Sequence, residues 1–240
     1  MKYPIRINKY LAEKGICSRR EADRLIGEGK VELNGRKAVL GEIVREGDDI
    51  GISGDTRELY YIAYNKPRGI VTNCPQKGEE EIKDILKLKF EYFPVGRLDK
   101  ESRGLILLTN DGRITDRLLS PRKGHEKEYV VEIDRRLRDD DLRQLRQGIT
   151  LDGGFRTKPC KIRTINERTF SIILTEGKNR QIRRMCKALG YDVIDLLRIR
   201  IVNITLKDMP EGHYKVLSGE ILQELLEDLG LSGEEDEKDT

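Results

Sequence analysis

The stretch that most constrains the fold is 93–112, Phe-Pro-Val-Gly-Arg-Leu-Asp-Lys-Glu-Ser-Arg-Gly-Leu-Ile-Leu-Leu-Thr-Asn-Asp-Gly. Leu105 to Leu108 is a continuous apolar run suited to a buried strand, and Phe93 to Val95 can enter as a short one. Thr109-Asn-Asp-Gly112 supplies turn residues that stop the run. Between the two strands, Arg97 through Arg103 form a charged loop, with Gly96 and Gly104 permitting tight turns on either side. Asp99 is thus placed on a loop fixed at both ends by core, which is how a scaffold holds a reactive group still. A solvated connection with ordinary surface charges is the competing reading of the same residues.

The rest of the chain divides in two. Residues 1–52 read as a small module. Ile5, Ile7, Tyr10 and Leu11 fall at helical spacing and Gly15 ends that run. Ser18-Arg-Arg-Glu21 has the spacing of a capping box, and the helix it opens places Ala22, Leu25 and Ile26 on one face before Gly29. Val31-Glu-Leu33, Asn34-Gly35 and Lys37-Ala-Val-Leu40 predict a hairpin with a tight turn. Arg6, Lys9, Arg19, Arg20 and Arg24 belong to a basic surface that could track an RNA backbone, although solvated helix faces account for such charges equally well.

Residues 53–58 are polar and turn-rich and are expected to be a linker; 59–229 alternate short strands and helices, the pattern of an α+β domain; 230–240 form an acidic tail expected to be disordered. Strands are predicted at 60–64, 128–133, 160–165 and 169–175, and helices at 114–119, from Asp139 onward, at 178–190 and after Ser218. In the 178–190 helix, Ile182, Met185, Cys186 and Leu189 make a buried stripe, with Arg180, Arg183, Arg184 and Lys187 on the other sides.

Charge and cysteine content narrow the function classes. The formal net charge is +3, and residues 234–239 carry −4, so the body carries +7, which permits a phosphate-rich partner. Cys17, Cys74, Cys160 and Cys186 are dispersed with no Cys-x-x-Cys pair, so neither a zinc site nor a disulfide framework is indicated. No run approaches the roughly 18 apolar residues of a membrane span, and Met1-Lys-Tyr-Pro-Ile-Arg-Ile lacks a signal-peptide core. A cytoplasmic monomer is expected.

Gly96-Arg97-Leu98-Asp99 followed by Ser102-Arg-Gly-Leu-Ile-Leu-Leu-Thr-Asn-Asp-Gly112 resembles the catalytic signature of RNA pseudouridine synthases. The resemblance is to the group that holds the A-type enzyme of the small ribosomal particle and the B-, E- and F-type enzymes of the large one. Asn65-Lys-Pro-Arg-Gly69 resembles that family's first motif, with a mostly architectural role, and Gly177-Lys-Asn-Arg-Gln-Ile-Arg-Arg-Met185 its third. Arg6-Ile-Asn-Lys-Tyr-Leu, Ser18-Arg-Arg-Glu-Ala-Asp and Gly29-Lys-Val-Glu-Leu-Asn-Gly35 resemble the S4 RNA-binding domain, which implies that the second helix and adjoining loop grip structured RNA. His125-Glu-Lys-Glu-Tyr129 and Arg183-Arg-Met-Cys186 resemble the F-type subgroup most, although the short acidic tail departs from the long basic extension some of its members carry.

The resemblance implies a central mixed, mainly antiparallel sheet flanked by helices, and isomerisation of uridine to pseudouridine without metal or cofactor. It implies Asp99 as the catalytic residue, acting as a nucleophile or stabilising the separating sugar and base. Arg183 is implied as its ionic partner, since a guanidinium favours the charged form of a neighbouring carboxylate. Tyr129 is implied to stack on the uracil and help remove the C5 proton, Ile182 to pack on the target base or simply in the core, and Arg97 to fill the gap left by the flipped nucleotide. The expected substrate is the 23S ribosomal RNA of the large ribosomal particle, with a tRNA anticodon stem-loop as a further candidate. Two rival classes are a non-catalytic RNA-binding or assembly factor and a metal-dependent phosphodiesterase using Asp99.

Overall fold

The computed structural model describes residues 2–53 and 58–231. Most of the expected linker (54–57) and of the expected acidic tail (232–240) lies outside the described residues.

The N-terminal unit runs β1 (Ile5–Arg6), α1 (Ile7–Glu13), α2 (Arg19–Gly27), β2 (Val31–Leu33), β3 (Arg36–Lys37), β4 (Ile43–Val44) and β5 (Ile50–Ile52). Ile7 and Leu11, four apart on α1, meet Ala22, Leu25 and Ile26 of α2 in one core with Val31, Leu33 and Val44. Ser18 caps α2 by accepting from the Glu21 amide at 3.2 Å. The turn falls where expected, with Asn34 and Gly35 both at positive φ, as a two-residue hairpin loop requires. The second strand is shorter than expected: β3 stops at Lys37, and Val39 and Leu40 point to solvent instead of a core face.

The larger unit follows as β6 (Tyr61–Lys66), α3 (Ile82–Ile85), β7 (Phe93–Val95), β8 (Arg103–Thr109), α4 (Arg113–Leu119), β9 (Lys127–Ile133), α5 (Asp139–Gln147), β10 (Lys161–Thr164), β11 (Thr169–Leu174), α6 (Gln181–Ala188), β12 (Val193–Ile201), β13 (Ile204–Thr205), β14 (Tyr214–Val216) and α7 (Gly219–Asp228). Nine strands form one sheet in the order β10-β11-β9-β12-β8-β6-β14, with β7 on β8 and β13 on β12. Every pairing is antiparallel except β8 with β12.

The period-2 rule shows how the sheet is covered. In β6 and β8, Tyr61, Ala63, Leu105 and Leu107 face a core with Ile114 and Leu118 of α4 and Leu225 of α7. The alternate residues Ile62, Tyr64, Ile106 and Leu108 face the opposite core with Ile82 of α3. Burial on both faces explains why β8 reads as an unbroken apolar run. Farther along the sheet, α5 and α6 cover β9, β11 and β12 through Leu145, Ile182, Met185 and Cys186. Two details depart from expectation. The third-motif helix begins at Gln181, three residues late, and the Ser218 side chain makes no cap bond to α7. No described helix is long and apolar enough to cross a membrane.

Candidate active site

Asp99 lies on the loop between β7 and β8, and its neighbours are fastened one by one. Leu98 is buried; its amide donates to Thr72 Oγ1 at 3.0 Å, and the same hydroxyl donates back to the Leu98 carbonyl at 2.7 Å. The Ser102 amide closes a turn on the Asp99 carbonyl, and the Gly69 amide donates to the Lys100 carbonyl at 2.8 Å. Gly69 is itself held by the first motif, because the buried Lys66 ammonium donates to the carbonyls of Pro67 (2.9 Å) and Ile70 (2.6 Å). Asp99 thus offers a side chain 29% exposed from a loop with little freedom to move.

The nearest cation to Asp99 is not the expected one. Arg180 Nη1 stands 3.8 Å from Asp99 Oδ2 and 2.6 Å from Glu101 Oε2. Arg183 forms no ion pair with Asp99 within 4 Å; its guanidinium donates to the carbonyls of Val193 (2.9 Å) and Glu101 (3.2 Å). The reason lies in the local backbone. Arg180 takes a left-handed conformation (φ 50°, ψ 33°) just before α6, which turns it out of the helix toward the Asp99 loop. Arg183, one turn into α6, is spent on carbonyls that tie the loop to β12. Burial, with Arg180 nearby, pulls the Arg183 guanidinium below its usual range. The Glu101 bond raises Arg180 above its own range, and Arg180 in return holds the Glu101 carboxyl low.

Tyr129 on β9 is half-buried and packs against the core cluster that contains Leu98, the residue before Asp99. Its ring faces the Arg198 guanidinium, 5.9 Å from the centroid. Arg198 is buried on β12, donates to the Leu105 carbonyl at 2.6 Å, and has one buried nitrogen without a partner. Registers align Tyr129, Arg198, Gly104 and Lys66 on four successive strands, β9, β12, β8 and β6, a row that crosses the sheet at the start of β8, where the Asp99 loop ends. Gly104 is required there: a Cβ would lie 2.4 Å from the Arg198 carbonyl oxygen.

The other expected residues separate into groups. Ile182 is 5% exposed within a core cluster, so packing accounts for it. Arg97 is exposed and makes no ion pair or hydrogen bond among the described residues. Arg6, Lys9, Arg19, Arg20 and Arg24 are all exposed on the N-terminal unit; Lys9 pairs with Glu13 and Arg24 with Glu21 and Glu28. Thr72, Glu101 and Arg198 escape the sequence reading. None of the three carries a local signal: Arg198 shares its strand with Asp195 and Arg200 and reads as one more surface charge.

Against this geometry, the model of the RNA pseudouridylate synthase family matches residues 60–188, which span the Asp99 loop, Tyr129 and α6. The dual-specificity RNA pseudouridine synthase RluF of Escherichia coli O6:H1 is 42% identical over 227 residues, 92% of this chain and 78% of that protein. The chain belongs to the RNA pseudouridylate synthase family. As a pseudouridine synthase it isomerises uridine to pseudouridine in RNA. Its N-terminal unit matches the S4 domain over residues 5–50. The ribosomal large subunit pseudouridine synthase B of Bacillus subtilis is 36% identical to this synthase over 225 residues, covering 89% of this chain and 92% of that one. A crystal structure of a pseudouridylate synthase superimposes with a TM-score of 0.69 at 29% identity, covering 94% of this chain and 99% of that one.

Proposed function

We propose that this synthase modifies a defined uridine of 23S ribosomal RNA, with a tRNA anticodon stem-loop as a second substrate, and does so in the cytoplasm as a monomer. Support for the RNA classes comes from the relatives, one named for dual specificity and one for the large ribosomal subunit. Asp99 is the catalytic residue. It bonds to or stabilises C1′ as the N1–C1′ bond breaks; the uracil turns, C5 bonds to C1′ and frees Asp99, the C5 proton leaves and N1 takes up a proton, so the composition is unchanged. Tyr129 stacks on the turning base and accepts that proton. Arg97 fills the space left when the uridine is flipped out of its stack, a step that costs a few kcal/mol. Arg183 fastens the Asp99 loop to β12 through the Glu101 and Val193 carbonyls. The S4 unit holds RNA through phosphate contacts from Arg6, Lys9, Arg19, Arg20 and Arg24.

The observation that carries this reading is a partly exposed carboxylate on a pinned loop, with a guanidinium 3.8 Å away and a tyrosine packed beside the same loop. The test is tritium release from ribosomal RNA and tRNA labelled at uridine C5, in the presence of chelator. Wild type should release tritium at a discrete site, and Asp99→Asn should lose at least about a thousandfold in rate, as expected for a residue at the reacting bond. Full activity of Asp99→Asn would remove Asp99 from the chemistry.

A further inference from the structure

Two charged tips meet beside Asp99, each on a stem anchored by hydrogen bonds. The Glu101 backbone is fixed because its carbonyl accepts from Arg183 Nη2, but its side chain is 50% exposed. The Arg180 stem is fixed by a buried network. Glu176 Oε1 accepts from Gln181 Nε2 at 2.8 Å and from the Lys158 amide, while Gln181 Oε1 accepts from the Lys178 amide at 3.0 Å. This network sets the turn that leaves Arg180 left-handed, with a side chain 43% exposed. One nitrogen of that side chain is divided between two carboxylates, tightly to Glu101 and loosely to Asp99.

A charge-assisted bond at 2.6 Å between half-exposed groups is easily exchanged, because water screens what is lost and a new anion replaces it. The incoming anion is built into the substrate. When a nucleotide's C1′ is brought to Asp99, the phosphodiester flanking that sugar arrives within reach of the Arg180 and Glu101 tips, which lie beside Asp99. Glu101 repels it and Arg180 attracts it.

We infer that Arg180 and Glu101 form an exchange latch. Glu101 holds the Arg180 guanidinium over Asp99 in the free enzyme, and the RNA phosphate flanking the target uridine takes the place of Glu101 when substrate enters. Arg180 is then a positioning residue that seats the flipped nucleotide, and Glu101 is an internal competitor that weakens RNA binding by occupying the phosphate's place. The inference rests on the reading of Asp99 as the residue at C1′.

The experiment uses full-length protein and an RNA hairpin cut around the uridine that wild type modifies in ribosomal RNA. Single-turnover tritium release gives the half-saturating protein concentration and the maximal rate at several salt concentrations. Glu101→Gln should lower the half-saturating concentration by about 2- to 5-fold, the scale of one displaced surface ion pair. Arg180→Gln should raise it by about tenfold and reduce the log–log salt slope by about one phosphate contact, with a smaller change in maximal rate. Arg180→Lys should restore most of the salt slope. In the double variant, the gain from Glu101→Gln should vanish, because no guanidinium remains to be released. An equal gain from Glu101→Gln with and without Arg180 would overturn the latch, as general charge relief would explain it. So would an unchanged salt slope in Arg180→Gln. Absence of any release by wild type would instead overturn the underlying reading of the site, and the latch with it.

Discussion

Lys127 shows how much depends on what a buried charge touches. It enters β9 with 8% exposure, and its ammonium reaches the His125 carbonyl at a weak 3.4 Å. Burial, with Arg198 adding to it, pushes its pKa down from 10.5 to about 8. Lys66 is pushed down to about 8 as well, chiefly by burial, but its two short carbonyl bonds hold the first-motif turn. The two should respond oppositely to Met. Lys127→Met keeps the apolar stem and removes a charge that folding disfavours, so it should stabilise the fold by about 1–3 kcal/mol near pH 7. A folded pKa below the unfolded one makes the penalty complete below pH 8. It fades as pH rises toward 10.5, because the native lysine loses its proton while the unfolded one keeps it. Urea melts of both proteins at pH 7 and pH 10 would show this, and a Met variant less stable than wild type at pH 7 would refute it. At this scale the sequence is legible where a motif names the residue. Asp99 and Tyr129 can be picked out, but Glu101 cannot, since nothing local distinguishes an acid that will face Arg180 from one that faces water. Arg180 is visible only as one side of a helix that in fact begins after it.

Among the elements, β8 and β12 do most to seat the site. Their parallel pairing places Gly104 opposite Arg198, with φ at +107° and no space for a side chain. Gly104→Ala would put a Cβ 2.4 Å from the Arg198 carbonyl oxygen and 2.7 Å from its nitrogen, both backbone atoms that can yield only by parting the strands. The expected cost exceeds about 2 kcal/mol, from left-handed strain and the clash together. It would be read as a lower urea midpoint and as weaker tritium release even in the folded fraction, because the Asp99 loop leads directly into β8. An unchanged midpoint would mean that the strands are not so closely joined. The same pair explains which elements the sequence reveals. Strand β8 is evident because both its faces are buried and Leu105 to Leu108 are all apolar. The nine-residue β12 is not, although it lies between β9 and β8 in the sheet. Register shifts between Val193 and Asp195 and between Arg198 and Arg200 break its two-residue alternation, and its buried Arg198 looks like a surface residue.

The two units of the molecule meet where α2 begins. Gly112, just before α4, leaves no room for a side chain: a Cβ there would lie 2.4 Å from Ser18 Cβ and 2.5 Å from its hydroxyl. Arg113 Nη1 reaches the Gly15 carbonyl across the same junction at 3.4 Å. A groove of about 990 Å³ opens beside it, lined by Arg19, Arg20 and Arg24 from one unit and Lys83 and Arg113 from the other. The same lining holds Glu21, Glu91 and Asp111, which pair with Arg24, Lys83 and Arg113, so the groove is net positive by the margin of Arg19 and Arg20. Under the proposed function those two extend the RNA surface to the junction, and affinity should then depend on how the units are seated. Gly112→Ala has an ordinary helical backbone to occupy (φ −67°), so its effect is the contact alone. Ser18 must retreat with the α2 terminus it caps, shifting Arg19 and Arg20 relative to Arg113, while the Asp99 loop keeps its own anchors at Thr72, Gly69 and Arg183. Half-saturating RNA concentration should therefore rise by about 5- to 30-fold, the loss of one or two phosphate contacts, with the maximal single-turnover rate unchanged. Salt dependence should flatten in parallel, since those contacts release counterions. A fall in maximal rate at unchanged half-saturation would place the junction in the chemistry instead of in the grip on RNA.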